Sequence, residues 1–85
     1  MKEVVMYSLI HCPYCVRAKE LLNRNNIPFK EILAEDLPRE EVEKLFARSQ
    51  MRTFPQIFAG NELIGGFTEL KKVDDEVGIK KYLNL

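Results

Sequence analysis

Between Val4 and Ile10 the chain reads Val-Val-Met-Tyr-Ser-Leu-Ile, apolar at nearly every position. A strand with one wet face alternates apolar and polar residues. A run without alternation describes a strand covered on both faces, as in a parallel sheet with helices on each side. That is a severe demand on a chain of 85 residues, because both covering layers must come from what remains. The next stretch agrees with it. His11-Cys12-Pro13-Tyr14-Cys15 follows at once and opens a helical stretch reaching Asn25. Cys15, Ala18, Leu21 and Leu22 form its apolar stripe, and Arg17, Lys19, Glu20 and Arg24 face out. Asn25-Asn26 stops the helix, and Ile27-Pro28 opens a second strand bearing Phe29, Ile32 and Leu33. Strand, helix and strand with short joints make a βαβ unit, which predicts parallel pairing of the two strands.

The remainder is read the same way. Asp36 and Pro38 mark a second helix start, Glu40 and Glu41 fill its first turn, and Val42, Leu45 and Phe46 are its buried stripe. It ends near Ser49 or Gln50, and Met51-Arg52-Thr53 is a loop. Phe54-Pro55 leads into a strand over Gln56–Ala59, Gly60-Asn61 turns the chain, and Glu62–Gly65 returns as the hairpin partner. After Gly66 a third helix puts Leu70, Val73 and Val77 on one face. Asp74-Asp75 breaks it, leaving a short last helix through Ile79, Tyr82 and Leu83. The order β-α-β-α-β-β-α predicts an α/β domain spanning residues 1–85, a four-stranded mixed sheet with helices on both faces.

Composition narrows the function classes. Thirteen basic and thirteen acidic residues balance, with no like-charge block, so a nucleic-acid partner is not indicated. No apolar stretch is long enough to span a membrane. The run after Met1-Lys2-Glu3 is short, strand-like and free of a small-residue cleavage site, so it is taken as the first strand rather than a leader. Two cysteines two residues apart cannot staple a secreted mini-protein, since a bridge over so short a loop restrains little of the unfolded chain. A reducing, cytoplasmic setting is the expectation.

The cysteines are better placed for redox chemistry. Cys12 falls at the N-terminal end of a helix, where unpaired N–H groups and the helix dipole favour a negative sulfur, and the thiolate is the nucleophile. Pro13 suits the first helical position, which needs no donor. Cys15, in the first turn, is close enough to attack a mixed disulfide formed on Cys12. The plain alternatives are two core thiols or half of a metal site. Tetrahedral zinc needs further ligands, and the chain has no second cysteine pair and one histidine, so no metal is expected. His11 is a candidate general base against the plainer reading of a solvated loop residue. Tyr14 is a candidate substrate contact, or a half-exposed aromatic capping the site. Arg52 and Lys19 are surface cations by default. Gly65-Gly66 supplies backbone geometry first and close approach to a ligand second.

Taken together, Cys12-Pro13-Tyr14-Cys15, Thr53-Phe54-Pro55 and Gly65-Gly66-Phe67-Thr68-Glu69-Leu70, in this order, resemble the dithiol, Thr-Val-Pro and Gly-Gly-x-x-Asp elements of glutaredoxins. These are small thioredoxin-fold proteins that use glutathione, and the resemblance covers essentially the whole chain. It implies the thioredoxin-like fold and a glutathione-disulfide oxidoreductase with Cys12 attacking and Cys15 resolving. It implies a cis-proline at Pro55 and recognition of the cysteinyl part of glutathione by the backbone of Phe54. It further implies N–H groups of Thr68 and Glu69 after Gly66 presented to the γ-glutamyl carboxylate, and Arg52 near the glycyl carboxylate. Tyr14, Thr53 and Pro55 complete the implied glutathione site, with Pro13 and His11 supporting the cysteines. The implied partners are glutathione and disulfide-containing or glutathionylated clients, acting on a monomer. Leu9 stands where many members carry a lysine, and Phe54 where valine is usual. Two other activities are compatible with the motifs. One is electron donation to ribonucleotide reductase with reduction by thioredoxin reductase. The other is a glutathione-assisted iron–sulfur cluster between two subunits, which the proline after Cys12 disfavours.

Overall fold

A computed structural model describes residues 3–84; Met1, Lys2 and Leu85, the ends of the expected 1–85 domain, lie outside the described residues. The elements are β1 (Val4–Ser8), α1 (Pro13–Arg24), β2 (Phe29–Leu33), α2 (Arg39–Ser49), β3 (Gln56–Ala59), β4 (Glu62–Gly65), α3 (Phe67–Glu76) and α4 (Ile79–Leu83). A 3-10 turn over Ala34–Asp36, not foreseen in the sequence, joins β2 to α2. The sheet order is β2-β1-β3-β4. β1 runs parallel to β2 and antiparallel to β3, and β3–β4 is an antiparallel hairpin with an irregularity between Ile57 and Phe58. The mixed α/β sheet is the predicted one.

The two faces of the sheet are covered unequally. Val4 and Met6 stand on one face beside their partners Ala59 and Ile57. They are buried with Ala18, Leu21 and Leu22 of α1, Leu70 of α3, and Ile79 and Leu83 of α4. On the opposite face Val5 and Tyr7 are half-buried. Tyr7 meets the buried Phe58 edge-on at 5.8 Å, and Arg48 of α2 lays its guanidinium 4.3 Å from the Phe58 ring centre. The guanidinium thus covers the ring face as a cation–π contact from α2.

Several expected boundaries move. β1 ends at Ser8 instead of Ile10, and Ile10 is 59% exposed. Its N–H is taken by both carboxylate oxygens of Glu35, at 3.0 and 3.2 Å, so the chain leaves the sheet there. α2 begins at Arg39 with Pro38 as its cap, while Asp36 belongs to the 3-10 turn. Of its stripe only Leu45 is fully buried; Val42 and Phe46 are half-buried. α3 is not broken at Asp74-Asp75. Lys71 bridges to Asp75 at 3.1 Å and Lys72 to Glu76 at 4.0 Å, one helical turn apart, which supports the helix through this stretch. The break comes at Gly78, whose φ of +90° suits glycine. Val77 ends the helix half-exposed at 49% and does not join Leu70 and Val73; Ile79 takes the buried place beyond the turn. Among the described residues no helix is long and apolar enough to cross a membrane.

Candidate active site

β1 delivers the chain to the N-terminus of α1, and Cys12 is the residue that caps it. With φ −136° and ψ 100° it is extended, and its Sγ accepts the N–H of Cys15 at 3.2 Å. Pro13 fills the first helical position without leaving a donor unpaired. A sulfur in this place faces backbone N–H groups and the positive end of the helix, which favours its negative form. Cys12 and Cys15 are bonded as a disulfide, with their Cα atoms 5.2 Å apart. Their exposures differ: Cys12 is half-buried and Cys15 is 1% exposed. An incoming sulfur therefore reaches Cys12, whereas Cys15 needs access to nothing but Cys12. His11 is exposed and makes no hydrogen bond or ion pair among the described residues.

Across from Cys12 lies the turn into β3. The Phe54–Pro55 bond is cis, as the resemblance implied, and the Phe54 carbonyl oxygen lies 3.9 Å from Cys12 Sγ. The Phe54 N–H has no hydrogen-bond partner among the described residues. A groove of about 440 Å³ opens here. Thr53, Phe54 and Pro55 form one wall, Gly66, Phe67, Thr68 and Glu69 the other, and Tyr14 and Met51 complete it. The walls approach closely: a Cβ on Gly66 would stand 3.3 Å from the Pro55 carbonyl oxygen and 3.4 Å from Glu69 Oε1. Glycine at 66 therefore answers to packing between the walls.

Of the residues expected to contact glutathione, all but Arg52 line this groove. Tyr14 is 55% exposed, stacks on Phe67 at 6.1 Å and carries the Arg17 guanidinium 5.4 Å from its ring centre. Glu69 is engaged by its own helix: its Oε1 accepts the Gly66 N–H at 2.7 Å, satisfying one of the open donors of α3. Arg52 does not line the groove. Its guanidinium lies 5.6 Å from the Phe46 ring centre, in a separate depression of about 490 Å³ with Glu43, Ala47 and Gln50. Phe46 in turn packs at 6.2 Å on Phe54, a wall of the groove.

Some contributors were not anticipated. Met51 and Phe67 line the groove. Ser49 and Gln56 are buried polar residues bonded to the loop that carries Thr53 and Phe54. Glutamine before the apolar run Ile57-Phe58-Ala59 was the available signal. Lys19 is half-buried, not an ordinary surface cation, and bridges to Glu31 of β2 at 3.1 Å. Ser8 Oγ donates to the same carboxylate at 2.6 Å. The Ser8 hydrogen bond, helped by Lys19 and opposed by partial burial, holds Glu31 below the usual carboxylate range. Among the described residues no group of three or more His, Cys, Asp or Glu is placed to hold a metal ion.

The glutaredoxin family model matches residues 4–64, from β1 into β4. The chain belongs to the glutaredoxin family. It is 38% identical to glutaredoxin 1 of Rickettsia prowazekii over 81 residues, covering 94% of this chain and 85% of that one. The solution structure of a glutaredoxin from Brucella melitensis superposes with a TM-score of 0.80 at 38% identity, over 100% of this chain and 94% of that one. A buckwheat glutaredoxin–glutathione complex matches in fold with a TM-score of 0.87 at 22% identity, over 98% of this chain and 77% of the other. A glutaredoxin with a Cys-x-x-Cys pair at the start of α1 is a thiol–disulfide oxidoreductase, on the thioredoxin-like fold expected from the sequence.

Proposed function

We propose that this glutaredoxin uses glutathione as its reductant and acts on glutathionylated and disulfide-bonded proteins in the cytoplasm, as a monomer. The observation that carries the reading is the position of Cys12. Its sulfur lies 3.9 Å from the Phe54 carbonyl oxygen, at a groove walled by a backbone turn and a helix N-terminus. A tripeptide with an anionic end suits such a place. The Phe54 N–H and C=O can pair with its cysteinyl backbone, and the N–H groups of Thr68 and Glu69 can meet its γ-glutamyl carboxylate. The glutathione complex of the buckwheat glutaredoxin of the same fold supports this assignment.

In deglutathionylation the Cys12 thiolate attacks the glutathione sulfur of the mixed disulfide. The client thiolate leaves, and a Cys12–glutathione disulfide forms. A second glutathione thiolate attacks the glutathione sulfur of that bond, releasing glutathione disulfide and restoring the Cys12 thiolate. With a protein disulfide, Cys12 first forms a mixed disulfide to the client and releases one client thiolate. Cys15, deprotonated, then attacks Cys12 Sγ; the second client thiolate leaves and Cys12–Cys15 is oxidised. Two glutathiones reduce it. In each exchange one S–S bond forms as one breaks. In a glutathione- and glutathione-reductase-coupled assay, Cys12→Ser abolishes both reactions, a loss of at least about a thousandfold. Cys15→Ser retains deglutathionylation and loses dithiol reduction of protein disulfides. Activity surviving in Cys12→Ser would overturn the assignment.

A further inference from the structure

We infer that Gln56, together with Ser49, is a positioning pair for the groove: two buried side chains that hold the loop before Pro55 in the shape that receives glutathione. The inference rests on the glutathione reading above and adds what sets the geometry of the groove. Gln56 begins β3 and is fully buried, and Ser49, the last residue of α2, is 5% exposed. The amide Nε2 of Gln56 donates to the carbonyl oxygens of Met51 at 3.1 Å and Thr53 at 3.0 Å. Ser49 Oγ accepts the Met51 N–H at 3.1 Å and donates to the Met51 carbonyl oxygen at 3.3 Å. Met51 is thus held at both backbone groups, and Thr53 at its carbonyl, immediately before Phe54.

Packing alone does not ask for glutamine at this position. The following residues Ile57, Phe58 and Ala59 are apolar and buried, and Gln56 Oε1 is buried with no partner among the described residues. A buried polar atom left unpaired is unfavourable, and an apolar side chain of similar length would remove the cost. An apolar side chain would, however, offer the loop no donor. A primary amide has two N–H groups on one nitrogen, which matches the two carbonyls it meets. Glutamate has the same shape, but when ionised it turns acceptors toward acceptors. The clamp also fixes which groups remain for a ligand. The Met51 and Thr53 carbonyls are engaged inside the protein, while the next N–H, that of Phe54, has no partner among the described residues, and the Phe54 carbonyl faces Cys12. Backbone pairing is directed to Phe54, so a bound peptide is placed with its sulfur toward Cys12.

The test is steady-state turnover of a glutathionylated peptide in the glutathione-coupled assay by wild type, Gln56→Met and Gln56→Glu. Each reduced protein is also assayed for Cys12 alkylation by iodoacetamide and for its urea midpoint. Loss of positioning raises KM about tenfold in both variants with kcat held within about twofold. The alkylation rate of Cys12 stays that of wild type. Ser49→Ala gives a smaller rise in KM, about threefold, and carries the test if the Gln56 variants do not fold. An unchanged KM in folded Gln56→Met would reduce Gln56 to a core residue and overturn the inference. A change in alkylation rate with an equal fall in kcat would also overturn it, placing the effect at Cys12. Wild type that gives no turnover with glutathione as reductant would instead fail the glutathione reading itself, before any variant is compared, and where the peptide does not saturate kcat/KM is compared in place of KM.

Discussion

The two walls of the groove are built by different chemistry. The loop wall, Met51 to Pro55, is held from below by neutral side chains shut away from water, Ser49 and Gln56. The helix wall, Gly65 to Glu69, is held by backbone geometry and by one carboxylate on an exposed residue, Glu69 Oε1 on the Gly66 N–H. Neutral buried hydrogen bonds change little with salt. The favourable charge of a carboxylate at a helix N-terminus is screened by it. The difference suits what each wall has to do. The loop must present one backbone N–H and one carbonyl at fixed places beside Cys12. The helix end must keep its open donors available to an anion, so it cannot be sealed by buried partners. Glu69 satisfies the Gly66 N–H, and the N-cap residue offers no side chain to the donors after it.

The largest effect should come from the point where the helix wall has no slack. Gly65 has φ +130°, and a Cβ there would stand 2.7 Å from both Cβ and Cγ of Glu69 and 2.8 Å from Oε1. Gly65→Ala therefore combines an unfavourable backbone with overlap against the base of a side chain. A loss of about 3 kcal/mol in urea unfolding is expected, together with loss of the Glu69 cap. Equal stability of Gly65→Ala and wild type would mean that the helix wall is as forgiving as an ordinary loop. Glu69→Ala, next in size, should cost about 1 kcal/mol by freeing the Gly66 N–H. Glu69→Gln keeps an acceptor and loses only the charge, so about half of that cost remains, and the remainder fades in high salt. A salt-independent cost in Glu69→Gln would break the contrast between the walls.

What was legible in the sequence follows the same division. Apolar patterning and turn residues located the four strands and the α-helices because burial drives both, the 3-10 turn over Ala34–Asp36 escaped them, and the cysteine motif announced itself. The groove residues Tyr14, Thr53, Phe54, Pro55, Gly66, Thr68 and Glu69 were reachable because three separated motifs carry them. Arg52 was assigned by resemblance, which fixes a position in the chain but not a side-chain direction, and here the guanidinium lies over the Phe46 ring. Asp74-Asp75 looked like a helix break because propensity was weighed without the lysines one turn earlier. The Ser49–Gln56 clamp was hidden for another reason. A polar residue in a strand says that something must be hydrogen-bonded, but its partners lie in a loop whose path periodicity does not predict.

A third tie, at the β2 side of the sheet and away from both walls, offers the smallest effect and the cleanest contrast with the neutral clamp. Ser8, Lys19 and Glu31 join β1, α1 and β2, with the Glu31 carboxylate accepting from Ser8 Oγ at 2.6 Å and pairing with Lys19 Nζ at 3.1 Å. These contacts hold Glu31 below its usual value of 4.5. A carboxyl that releases its proton more readily in the folded chain than in the unfolded one stabilises the fold where it is ionised. That contribution is fully present above the unfolded value and is lost as pH falls through the lower folded value. Glu31→Gln retains an acceptor for Ser8 but has no charge for Lys19, so its deficit at neutral pH should be below about 1 kcal/mol. Measured as the difference in urea midpoint from wild type, the deficit should be constant from pH 7 down to about pH 5 and shrink toward zero in stronger acid. The same difference for Gln56→Met should stay level across that range, because neither glutamine nor its carbonyl partners titrate there. A Glu31→Gln deficit that persists unchanged in strong acid would show that the tie acts through packing. A Gln56→Met deficit that shrinks with acid would show that the loop wall depends on charge after all.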